Sequence, residues 1–117
     1  MGKLTTHVLD TATGRPGGGI AIDLYRISMN DRASLKTVTT NADGRCDGPL
    51  LEGAAFEVGQ YEMIFHVGGY FNKQDGPLAA PPFLDEIVVR FGISDATEHY
   101  HVPLLVSPYS YSTYRGS

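Results

Sequence analysis

The sequence predicts an all-β domain, either a sandwich or a barrel. Three observations point that way. Apolar and polar residues alternate in short runs, as they do where one strand face is buried and the other is not. Glycine and proline, 14 and 7 of the 117 residues, recur between those runs. No segment carries the apolar periodicity of a long helix. Seven or eight short strands at roughly ten-residue spacing are the pattern of a sandwich or barrel, and residues 1–117 form one domain without repeat, linker or low-complexity segment.

The elements follow in chain order. Lys3 to Asp10 alternates, with Leu4, Thr6 and Val8 on one face and Thr5, His7 and Leu9 on the other. Thr11 to Gly19 is a turn region, rich in glycine around Pro16. Ile20 to Ser28 alternates again, with Ile20, Ile22 and Leu24 in register. Leu35 to Thr40, β-branched and threonine-rich, is its partner strand. Asn41-Ala42-Asp43-Gly44 is turn chemistry, since these residues tolerate left-handed dihedrals. Pro49 to Gly59 reads equally as a short strand or an irregular loop. Gln60 to Val67 is a strand with Tyr61, Met63, Phe65 and Val67 facing one way. The one plausible helical turn lies around Tyr70-Phe71-Asn72-Lys73, and Pro81-Pro82 stops any regular element. Phe83 to Ile93 and Glu98 to Val106 are strands with Ile87, Val89, Phe91 and Ile93, and then Tyr100, Val102, Leu104 and Val106, on their apolar faces. Tyr109 to Arg115 is a last, aromatic strand.

Composition narrows the function. Hydrophobic residues make up 42 % and charged residues 19 %, the balance of an ordinary globular domain. The formal net charge of -4 and the scattered lysines and arginines argue against nucleic acid or an anionic membrane as partner. No run approaches the length of a membrane span, and the N-terminus lacks the apolar stretch of a signal peptide. The single cysteine, Cys46, excludes an intramolecular disulfide, so a cytoplasmic location is expected.

Four histidines are the candidate chemical groups: His7, His66, His99 and His101. If the apolar strand faces fill the core, His7 and His101 point outward. The outward face of the His101 strand also carries Pro103 and Leu105, and the last strand adds Tyr109 and Tyr111. An outer face so apolar and aromatic fits contact with another subunit. Histidines beside such a contact could line a pocket tuned near neutral pH. His99-x-His101 is also a metal-ligand spacing, and with His7 it could build a three-histidine zinc site. Arg45 reads either as a surface charge or as an anion clamp that stabilises developing negative charge. Cys46 reads first as a small apolar filler and only second as a nucleophile. The glycine run 17–19 precedes no helical pattern, so a phosphate-binding loop is not expected.

Two end segments go further. Thr6-His7-Val8-Leu9-Asp10-Thr11-Ala12-Thr13-Gly14-Arg15-Pro16 resembles the N-terminal signature of the transthyretin-like family. The segment from His99 through Tyr114-Arg115-Gly116-Ser117 is similar to the end of the 5-hydroxyisourate hydrolases of that family. The stretches 39–45 and 69–71 match as well, so the resemblance covers essentially the whole chain. It implies a transthyretin-like sandwich of two sheets, with seven to eight strands and one short helix. It implies a homotetramer, a dimer of dimers, with sites in a channel between dimers. It further implies that His7, Arg45, His101 and Ser117 are catalytic, with Tyr114 also against the substrate and no cofactor. The expected reaction is opening of the six-membered ring of 5-hydroxyisourate by water. Two other readings stay in view: a carrier of a small aromatic ligand in the same channel, and a zinc hydrolase on His7, His99 and His101.

Overall fold

A computed structural model of the chain describes residues 2–75 and 79–116. It contains two facing sheets. The first has strand order β2-β1-β8-β9, built from β1 (Lys3–Asp10), β2 (Arg15–Pro16), β8 (Tyr100–Val106) and β9 (Tyr111–Thr113), with β5 (Leu51–Glu52) also pairing to β1. The second has order β4-β3-β6-β7, from β3 (Ala21–Ser28), β4 (Asp31–Thr39), β6 (Gly59–His66) and β7 (Glu86–Ile93). The architecture is the expected two-sheet sandwich with one short helix, and the barrel alternative is excluded because both sheets are open.

Alternation builds the core. In β1 the inward residues Leu4, Val8 and Asp10 are fully buried, while Thr5, His7 and Leu9 between them are half-buried. From β6 come Tyr61, Met63 and Phe65, from β3 Ile22 and Leu24, and from β8 Val102, Leu104 and Val106. These side chains interdigitate between the sheets, which is how aligned sandwiches bury both inner faces. Helix α1 (Val67–Asp75) follows β6 without a loop and continues its packing: Val67 and Phe71, four apart and so on one helical face, are both fully buried.

Several boundaries differ from the sequence reading. Val67 begins the helix instead of ending a strand. β4 starts at Asp31, not Leu35. It pairs with β3 directly across the two-residue turn Met29-Asn30 and carries a bulge opposite Leu24/Tyr25. Nearly all of β4 is exposed, so its residues carry no alternation to read. β2 and β5 are two-residue strands inside segments taken as a turn and as an ambiguous stretch. β7 starts at Glu86 and not at Phe83.

Asp10 explains part of the N-terminal motif. Its Oδ1 accepts from the backbone N–H groups of Ala12 (2.9 Å) and Thr13 (3.3 Å), and its Oδ2 accepts from the Tyr70 hydroxyl at 2.8 Å. The carboxylate thus closes the turn after β1 and ties it to α1. Replacing Asp10 with Ala removes these three bonds from a fully buried position, and such loss costs about 1–3 kcal/mol. Urea denaturation should show that fall in stability with an unchanged slope.

Candidate active site

The site begins with the pairing of β1 and β8. They run parallel, with Thr5 opposite His101 and His7 opposite Pro103. Opposed residues in a ladder share a face, so Thr5, His7 and His101 all stand on the outer face of the first sheet. Neighbouring strands lie ~4.8 Å apart and rise ~3.3 Å per residue, which sets the Cα atoms of His7 and His101 about 8 Å apart.

Arg45 reaches the same face through a turn. The Asn41 carbonyl oxygen accepts from Gly44 N–H, and its side-chain oxygen accepts from the N–H groups of Asp43 and Arg45. Asn41 N–H donates in turn to the Arg45 carbonyl at 2.7 Å. This closed turn delivers Arg45 to β1, where it forms an isolated antiparallel bridge with His7. Gly44 is needed on two grounds. Its φ is +74°, and a Cβ there would lie 2.4 Å from the Val8 carbonyl oxygen, whereas Val8 N–H donates to the Gly44 carbonyl at 2.8 Å.

The outer edge of the site is the C-terminal tail. Beyond β9 the chain re-enters the β8–β9 register at Gly116, whose N–H donates to the His101 carbonyl at 2.6 Å. Arg115 anchors that return. Its guanidinium lies 4.1 Å from the centre of the Tyr100 ring and donates to the His99 carbonyl at 3.0 Å, with Glu98 at 3.3 Å. Sequence reading assigned Arg115 nothing, because neither the ring nor the carbonyl that receives it is visible without the register.

The electrostatics favour a neutral imidazole. Burial is the main cause that holds the His101 pKa below the ordinary histidine value, and the positive charge of Arg45 and then His7 adds to it. His101 therefore stays unprotonated at neutral pH. Cys46, packed against the core, is the opposite of an activated thiol: burial first, and then Asp47, push its pKa up against a smaller effect of Lys36. A shallow pocket of about 280 Å³ adjoins the site, lined by Lys3, Thr5, Thr6, Arg45, Cys46, Gly48 and Pro49.

The structure thus brings together His7, Arg45 and His101. Ser117 lies outside the described residues, although its neighbour Gly116 borders His101. Tyr114 is not gathered with them in the single chain. It is 60 % exposed and lines a cleft of about 250 Å³ between β7 and β9, with Phe91 and Val102. His99 precedes β8 and is exposed. Among the described residues no three His, Cys, Asp or Glu side chains gather closely enough to hold a metal ion, so the proposed zinc triad of His7, His99 and His101 is not assembled. His66 belongs to the other sheet, where its Nε2 meets Asp23 at 2.8 Å. No described helix is long and apolar enough to cross a membrane.

Two facing sheets of this strand order with one short helix after β6 are the transthyretin-like class of domain. Residues 4–116 match the model of the HIUase/Transthyretin family, and the chain belongs to that family. It is 60 % identical over 116 residues to 5-hydroxyisourate hydrolase 2 of Rhizobium meliloti, covering 99 % of this chain and 97 % of the relative. Among solved structures it resembles the 5-hydroxyisourate hydrolase of Klebsiella pneumoniae, with a TM-score of 0.80 and 31 % identity over the whole of both chains. It also resembles sea bream transthyretin in complex with thyroxine, with a TM-score of 0.86 and 28 % identity over 97 % of this chain and 94 % of the other.

Gly44 offers a test of this geometry. Gly44→Ala should displace the Arg45 turn, because both the positive φ and the contact with Val8 oppose a side chain. The expected result is a loss of stability of roughly 1–3 kcal/mol together with loss of any anion binding that depends on Arg45, read by denaturation and by titration with urate as an inert anion.

Proposed function

We propose that this chain is a 5-hydroxyisourate hydrolase. The observation that carries the reading is the convergence of His7, Arg45 and His101 on one outer sheet face. Its support from relatives is identity of 60 % over nearly the whole of a 5-hydroxyisourate hydrolase. A carrier needs no such set of groups, whereas hydrolysis of an activated ring carbonyl needs a base near neutral pKa and a cation for the oxyanion.

The reaction proceeds in two steps. A histidine takes a proton from water as the water oxygen adds to a carbonyl carbon of the six-membered ring. The carbonyl π pair moves onto oxygen, where Arg45 meets the new charge with its planar fork of donors. The tetrahedral intermediate then collapses. The ring C–N bond breaks, and the leaving nitrogen receives the proton held by the histidinium. The product is 2-oxo-4-hydroxy-4-carboxy-5-ureidoimidazoline, which contains all the atoms of substrate and water. Neither oxidant nor metal enters this balance. Ser117, next to Gly116 in sequence, supplies a hydroxyl to orient a histidine or a substrate edge, and Tyr114 contributes by carrying the tail.

Generating 5-hydroxyisourate with urate oxidase and following its ultraviolet decay tests the activity directly. His7→Asn and His101→Asn should each lower turnover about 10²–10⁴-fold, the usual worth of general acid–base catalysis, while circular dichroism stays unchanged. Arg45→Lys should not restore the rate, since lysine keeps the charge and loses the fork. Near-native rates in both histidine variants would move the site elsewhere.

The working form we propose is a homotetramer, a dimer of dimers, with the outer faces of first sheets meeting across the site. Its support is the apolar character of the histidine-bearing face, where Leu9 and Leu105 pair in the β1–β8 register and stay only half-buried; Tyr111, expected on that face, pairs with core-facing Val106 and belongs to the other one. Sedimentation should give about 51 kDa, four chains of 12.7 kDa. Removal of residues 114–117 should abolish turnover and leave the sandwich folded. A fully active monomer would contradict the shared site.

A further inference from the structure

The Thr5 hydroxyl oxygen lies 2.8 Å from Nδ1 of His101. The two residues are direct partners in the β1–β8 register, so this contact is set by the backbone and not by a flexible reach. The far edge of the ring is equally confined: a Cβ on Gly116 would stand 2.8 Å from His101 Cδ2. With both edges held, the polar ring atom left open is Nε2.

A neutral imidazole has one proton for two nitrogens, and the partner of one nitrogen decides the state of the other. The charged and titratable groups facing His101 are Arg45 from the turn after β4 and His7 from β1. Arg115 of the tail is committed to Glu98 and the His99 carbonyl. Arg45 is always charged. A lone pair at Nε2 lies favourably in that positive field, and an N–H there does not. The ring proton therefore belongs on Nδ1, donated to Thr5 Oγ1. Thr5 is only half-buried, so its own hydroxyl proton has water to meet.

We propose that Thr5 is a positioning residue that holds His101 as the Nδ1–H tautomer and so presents the Nε2 lone pair to the attacking water. The catalytic consequence rests on the hydrolase reading; the tautomer itself does not. An unconstrained imidazole side chain prefers its proton on Nε2; the Arg45 field favours the other form, and the Thr5 oxygen supplies the acceptor without which an Nδ1–H is left unsatisfied. This assigns the water-activating role to His101 and leaves His7 to bind and orient.

The test is long-range proton–nitrogen NMR of the full chain labelled with ¹⁵N-histidine at neutral pH, with the His101 signals identified by their absence from His101→Asn. The native protein should show a protonated Nδ1 and an unprotonated Nε2. Thr5→Val, similar in shape and favoured in strands, should return the ring to the Nε2–H form. Thr5→Ser should keep the native pattern. In turnover, Thr5→Val should lower kcat about 10–100-fold, the usual worth of a group that orients a functional histidine, with KM unchanged. Thr5→Ser should restore it. A native His101 with its proton on Nε2 would overturn the proposal. So would a Thr5→Val protein that keeps Nδ1–H, whatever its rate. The expected tautomer switch in a protein that leaves 5-hydroxyisourate untouched would uphold the role of Thr5 and refute the hydrolase reading.

Discussion

The parallel pairing of β1 with β8 fixes more of this molecule than any other contact. Seven successive residue pairs join the strands, from Leu4 with Tyr100 to Asp10 with Val106. Inward, the register stacks Leu4, Val8, Val102, Leu104 and Val106 into the core. Outward, it sets Thr5 beside His101 and His7 diagonally across. A slip by one residue would invert one strand relative to the other, burying His101 and exposing Val102. Core formation and site formation therefore exclude the same errors. The buried Thr6 hydroxyl reinforces the register by donating to the Val102 carbonyl at 2.7 Å.

The opposite edge of β1 is assembled from pieces. β5 pairs at Lys3 and Leu4, Arg45 bridges at His7, and β2 pairs at Leu9 and Asp10. A single long strand there would satisfy the same backbone groups but would present Arg45 only as one residue of a regular ladder. The broken edge lets a tight turn deliver the guanidinium to the level of the two histidines. Burial then acts on the assembled set: it disfavours charge on His101, and the always-protonated Arg45 strengthens the effect. An imidazole free of its second proton beside a permanent cation follows from that combination.

Much of this was legible in the sequence where a strand has one wet and one dry face. β1 and β7 alternate throughout and β8 at both ends, and the parity of β1 and β8 alone turned His7 and His101 outward, whereas β6 is buried on both faces from Tyr61 to Phe65. β4 is wet on both faces and its start could not be read. β2 and β5 are too short for any period, and they exist because β1 offers unpaired backbone groups. Arg45 could be singled out by its place after an Asp-Gly turn, but not its bridge to His7. Gly116 and Arg115 sat within a recognisable motif, yet their work depends on the Tyr100 ring, the His99 carbonyl and the His101 imidazole edge, which only tertiary register brings near. Tyr114, expected against the substrate, instead stands at the cleft beside β7 within one chain.

The alternation of β1 separates two kinds of inheritance. Its inward residues answer to the core, and a change there alters folding for the whole domain. Its outward residues touch little of the core, and the same holds for His101 on β8 and Arg45 on its turn. A lineage can therefore exchange the chemistry of this face by a handful of substitutions while the sandwich stays intact. The likeness of this backbone to a thyroxine-bound transthyretin at 28 % identity is what such uncoupling permits: a scaffold that drifts slowly on one side of each strand, and a surface on the other side free to be recruited to new ligands.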